Sequence, residues 1–253
     1  MCTVGFSTGA LAYEDFAHAL ELLEPTRATA VELSALRSVE LPALLAALPS
    51  IFGTLKNRYR YISFHAPTNF TDEPGMVEQL MEIAGRGLNI IVHPDCIKDR
   101  SLWRRLGSHL CLENMDSRKP TGRTVAELAG FFADLPRAKL CFDIAHARQV
   151  DPTMTEAACI LTEFGDRLAQ VHMSEVNSRG KHFAMSFGAK HAYEPFACAM
   201  SKVPVILESV VEASNIEKEI DAAVKILSHH TGYYTHAEST HEEAVELAYV
   251  YRG

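Results

Sequence analysis

Six residues of metal-ligand type stand at the ends of successive apolar runs: His65, His93, Glu113, Asp143, His172 and Glu208. The stretch "AKLCFDIAHARQV" (138–150) shows the pattern most clearly. Leu140, Cys141 and Phe142 read as a buried strand, Asp143 follows without a break, and His146 comes three residues later. A carboxylate at the edge of a core is costly unless a cation neutralises it. Taken singly, each of these residues would read as a hydrogen-bonded histidine or an ion-pair acid. Six in succession are different, because carboxylates brought to one rim repel one another and a divalent cation removes that cost. Carboxylates with imidazoles suit Mn, Fe, Co or Zn and tolerate Mg. No cysteine belongs to the set, which argues against a structural zinc site. His182, in the loop after the seventh run, extends the set.

The elements that must position these residues are legible as eight β-rich runs: 3–7, 30–34, 61–65, 88–93, 109–114, 139–143, 168–173 and 203–209. They are near-continuously apolar, as strands covered on both faces are. Their ends lie from 20 residues (93 to 113) to 36 residues (172 to 208) apart, close to one βαβ unit per step. Helical periodicity fills the intervals, for example Phe16, Leu20 and Leu23, or Val77, Leu80, Met81 and Ala84. Thr124 with Glu127 and Ser214 with Glu217 have capping-box spacing, Asp151-Pro152 is a helix-start signal, and Gly165 can end that helix. Eight such units predict a (β/α)8 TIM barrel, α/β in class, as a single domain over 1–253 with an extra C-terminal helix at about 239–251. A doubly wound sheet is the alternative, but the first βα turn, "GFSTGALA", lacks the glycine pattern of a nucleotide site. In the barrel, chemistry belongs at the C-terminal ends of the strands, where the six residues fall.

The net charge of −8 makes the chain a poor non-specific partner for nucleic acid. The most basic aromatic window, "FGTLKNRYRYIS" (52–63), leads into the third run from the opposite rim. No leader peptide and no membrane span is expected, and six scattered cysteines without a CxxC fit a reduced, cytoplasmic protein. His229, His230, His236 and His241 read as a polar tail, Trp103 as a packing residue, and Lys190 and His191 as loop residues that could reach a phosphate.

The segments "FHAP" (64–67), "VHPD" (92–95), "LEN" (112–114), "FDIAHA" (142–147), "VHMSEVNSRGKH" (171–182) and "LES" (207–209) together resemble the xylose isomerase-like TIM-barrel superfamily. That group holds sugar (phosphate) isomerases and epimerases and the endonuclease IV type of nuclease. The resemblance runs from the first strand through the eighth and implies a small-molecule substrate; it is compatible with a homodimer.

Two sites follow from it. In the isomerase and epimerase version, one divalent ion (Mn, Co, Mg, Fe or Zn) is held by residues matching Glu113, Asp143, His172 and Glu208. It stabilises an enediolate while Glu113 and Glu208 act as the catalytic pair, and His146 and Arg179 bind substrate oxygens. In the endonuclease IV version, two to three ions serve phosphoester hydrolysis, and His65, His93, His146 and His182 join the set. There the acid expected beside His182 falls on Gly180, which weakens the third metal position. The isomerase or epimerase is the leading expectation, the hydrolase the alternative, and a non-catalytic binding protein on the same fold a second alternative.

Overall fold

The structure is a computed structural model and describes residues 2–229. Eight parallel strands close into a barrel: β1 (Val4–Ser7), β2 (Ala30–Ser34), β3 (Tyr61–His65), β4 (Asn89–Val92), β5 (Leu110–Glu113), β6 (Lys139–Asp143), β7 (Leu168–Met173) and β10 (Val205–Leu207). β1 pairs with both β2 and β10, which closes the ring. The fold is therefore the (β/α)8 TIM barrel that the spacing predicts. Four strands match the sequence reading to the residue, 30–34, 61–65, 139–143 and 168–173, while the eighth is shorter than 203–209. A short antiparallel hairpin of β8 (Glu175–Val176) and β9 (His182–Phe183) leaves the barrel after β7; nothing in the sequence reading anticipated it.

The helices lie outside the strands and share one large apolar core with them, from Phe6 and Val31 to Ile220 and Leu227. Their starts are fixed by side chains: Asp72 accepts from Gly75 N at 3.0 Å and Thr124 from Glu127 N at 3.3 Å. Two expected starts are corrected. Asp151-Pro152 does not open a helix; the Asp151 carboxylate holds the turn at Thr153, and the helix runs Thr155–Phe164. Ser214 does not cap the last described helix, Ile216–Leu227, because Glu217 is drawn to the backbone N–H and guanidinium of Arg27. Trp103 packs fully buried and donates to Glu73 at 2.6 Å. The expected helix at 239–251 and His230, His236 and His241 lie outside the described residues.

The inside of the barrel has two halves. One is a small apolar cluster of Ile91, Cys111 and Cys141. The other is a polar column: Lys139 donates to Asn89, Asn89 to the Tyr61 hydroxyl, Tyr61 to Gln170, and Gln170 to Glu32. Ser63 also donates to Glu32, at 2.9 Å. Glu32 is completely buried, so its charge survives only because these donors and His172 surround it.

Candidate metal centre

The strand ends deliver the predicted residues to one rim. Register sets Ser34 beside His65 and Asp143 beside His172, so ligand types from neighbouring strands face one another. Glu113, at the end of β5, lies at the middle. Its Oε2 is 3.3 Å from His65 Nε2 and 3.2 Å from His93 Nε2. Its Oε1 is 3.1 Å from His172 Nδ1 and 3.4 Å from His146 Nδ1. Two groups therefore share this one carboxylate: His65, His93 and Glu113, and Glu113, Asp143, His172 and Glu208. Within each group the donor atoms lie within 4.8 Å of one another.

Three of the candidate ligands, His65, His172 and Asp143, are aimed by a second contact. His65 Nδ1 sits 2.9 Å from the carbonyl of Ala66, which turns Nε2 toward Glu113. His172 Nε2 lies 3.2 Å from Glu32 and 2.8 Å from the Gln170 amide, leaving Nδ1 toward the centre. Asp143 also caps the helix Ile144–Val150, accepting from His146 N at 2.7 Å. This explains the Asp–His spacing in the sequence. The other oxygen, Asp143 Oδ2, is buried with no hydrogen-bond partner. His93 Nδ1 is likewise buried and unpartnered.

The electrostatics show what the site lacks. Burial, reinforced by the charge of Glu113, pushes Asp143 up to about 7. Burial pushes Glu208 up to about 8, against the pull of His172 and with the push of Glu113 and Asp143. Glu113 goes the other way: burial opposes ionisation, but His172, His65 and His93 hold it well below the usual carboxylate range. His65 rises to about 9, because its bond to Glu113 outweighs burial. An orphaned buried oxygen, two carboxyls held protonated near neutrality and a hard-donor set all fit a divalent cation.

His146 and His182 face each other edge-on, with ring centroids 5.3 Å apart. His146 Nδ1 is 3.0 Å from Asn114 O, and His182 Nδ1 is 2.8 Å from Ser174 Oγ. Burial lowers both, His182 to about 4. No acid joins them from position 180, and they are not part of either four- or three-residue group. Above the centre opens a cleft of about 540 Å³, lined by His65, His93, Glu113, His146, His182 and Glu208. Arg179 is exposed and absent from this lining; Arg118 is present in its place. Lys190 and His191 also lie outside it, and His191 pairs with Glu194. Sequence reasoning missed Glu32 and the Asp116–Arg118 pair. An acid inside the apolar run "AVELS" was the available signal for Glu32; the loop pair gave none.

No family model matches the sequence, and no curated protein does. Solved structures do match in fold. A xylose isomerase domain protein from Alicyclobacillus acidocaldarius is 16% identical at a TM-score of 0.65, over 89% of this chain and 99% of that one. The 3-keto-D-glucoside 4-epimerase of E. coli is 14% identical at a TM-score of 0.57, over 89% of this chain and 100% of that one. An AP endonuclease of family 2 from Brucella melitensis is 11% identical at 0.53, over 87% and 97%. The chain thus has the fold of the xylose isomerase-like TIM barrels, whose similar structures include both an epimerase and an endonuclease. No helix among the described residues is long and apolar enough to cross a membrane.

Proposed function

We propose that this chain is a hydrolase of small phosphate esters that works with two divalent cations sharing Glu113. One observation carries the reading: the two oxygens of Glu113 are divided between two ligand groups, Oε2 toward His65 and His93, Oε1 toward His172. The metal count was what separated the two chemistries at the level of sequence, and this division favours the second of them over the leading expectation. His65, His93 and Glu113 would hold one ion; Glu113, Asp143, His172 and Glu208 would hold the other. The ions supply Lewis acidity at the phosphoryl oxygens and lower the pKa of a water. The chain's own residues orient and desolvate: Ala66 O and Glu32 fix the rings of His65 and His172, and burial keeps His146 and His182 neutral as hydrogen-bonding groups at the cleft wall.

A compact substrate fits better than a duplex. The chain is acidic, and three of the cations at the mouth are tied to acids, Arg37 to Glu14 and Glu40, Lys119 to Asp95 and Arg118 to Asp116, while Lys181 beside them has no acid partner among the described residues. A track of free basic groups, as duplex binding needs, is not what this arrangement offers. The isomerase or epimerase remains as the second reading, favoured by the completeness of the four-residue group with Glu113 and Glu208 in it. In that reading these two acids would remove and return a proton. Elemental analysis of chain purified without added metal or chelator tests the choice. Two ions of Zn, Mn or Fe per chain, with turnover of small phosphate esters, is the expected result. One ion per chain, with turnover of hydroxy-carbonyl sugars, transfers the assignment to the isomerase. No uptake of metal at all leaves a binding protein.

A further inference from the structure

Gly180 has φ +66°, and a Cβ built there would fall 1.7 Å from Arg118 Nη2 and 1.8 Å from its Cζ. Only a residue without a side chain lets the guanidinium lie across this position. The guanidinium is held from two further sides. Arg118 Nε and Nη2 each donate to the Asp116 carboxylate at 2.9 Å, and Nη1 donates to the carbonyl of Arg179 at 2.6 Å. Asp116 is buried, at 2% exposure, whereas the Arg118 side chain keeps 46%. A buried carboxylate thus fixes a half-exposed cation in one orientation at the wall of the cleft. A guanidinium has five N–H groups. Three are used in these bonds, so two remain, one on Nη1 and one on Nη2. Adjacent N–H groups of this kind suit two oxygens of one carboxylate or phosphate.

We propose that Arg118, seated over Gly180, is an anion subsite of the cleft that takes non-bridging oxygens of a terminal phosphate group. The inference rests on the hydrolase reading and narrows it to phosphate monoesters of small molecules. It also gives His146 and His182 a place: they share the cleft wall with Arg118 and stand between it and the acids, His146 3.4 Å from Glu113 and His182 3.6 Å from Glu208.

Binding of inorganic phosphate to the metal-loaded full chain tests this, measured by titration calorimetry together with metal content. Arg118→Ala should weaken phosphate at least tenfold while metal per chain stays as in the wild type. Arg118→Lys keeps a charge beside Asp116 but loses the fork, and should show a smaller loss; it also guards against instability from an unpaired Asp116. Gly180→Ala should reproduce the loss of Arg118→Ala, because the added methyl displaces the guanidinium. The double variant should be no weaker than Arg118→Ala alone, since both changes remove one contact. Phosphate affinity unchanged in both Arg118 variants overturns the subsite. Fewer than two ions in the wild type, with phosphate binding still dependent on Arg118, overturns the hydrolase reading and leaves the anion subsite standing.

Discussion

The two sides of the cleft are built on opposite plans. On the Glu113 side, acids and imidazoles from the ends of six strands converge, and the crowding pushes Asp143 and Glu208 up toward neutrality. On the Arg118 side, Asp116 is paired with Arg118 within the chain, and His146 and His182, bonded to Asn114 and Ser174, stand between the two sides, 3.4 Å from Glu113 and 3.6 Å from Glu208. The first side leaves Asp143 Oδ2 and His93 Nδ1 buried without hydrogen-bond partners, whereas the second pairs Arg118 within the chain. The difference teaches where the proposed ions would act and where the fold has supplied its own charge.

The comparison breaks hardest at Glu113. Glu113→Gln keeps the shape and removes the shared charge, so both groups fail together. Turnover should drop by about 10³-fold or more, the scale of losing a central electrostatic group, with metal content collapsing on elemental analysis. Retention of both ions would mean that Glu113 is not shared. A narrower cut is Glu32→Gln, which touches only the four-residue group through His172. Metal affinity should fall about 10–100-fold for that group, and chelator competition should then show one tight and one weak ion.

Metal removal should also change how stability follows pH. In the metal-free chain, His65 and His172 have raised folded pKa values, so their contribution is present below about 6.5 and is lost as pH rises through the folded value. Asp143 and Glu208 are raised as well, to about 7 and about 8, so ionising them at higher pH disfavours the folded state. Both signs agree: between about pH 6.5 and 9 the melting temperature of the metal-free chain should fall by several degrees, and bound metal should flatten the curve. A flat curve without metal would show that these groups do not repel. The smallest effect belongs between the two sides. His182→Ala should leave the metal content unchanged and weaken metal binding less than Glu32→Gln does. Loss of an ion in His182→Ala would erase the distinction between the two sides.

Most of the fold and the inner ligand set could be read directly, because a parallel barrel writes both in one place. Its strands are continuous apolar runs, and its chemistry sits where they stop, as "KLCFD" and "LAQVHM" do. What could not be read depends on contacts distant in sequence. Glu32 meets His172 across 140 residues. Asp116 and Arg118 matter because a loop 61 residues later leaves room at Gly180. One of the two capping errors has the same origin: Glu217 would serve Ser214 locally, but Arg27 reaches it from the loop before β2. Arg179 was singled out by a motif; in the structure its side chain is exposed and its carbonyl accepts from Arg118.

The polar column inside the barrel has a direction. Every donor points the same way, from the Lys139 ammonium through Asn89, Tyr61 and Gln170 to the Glu32 carboxylate beneath His172. Removing a rung leaves its neighbours, half-buried or buried, without partners, and the cost is greatest at Gln170 and Glu32, which are fully buried. Such a column resists gradual replacement by aliphatic residues, since every single step is worse than either end state. Chains descended from this one could change their loops, and with them their substrates, far more readily than they could change the pillar on which His172 stands.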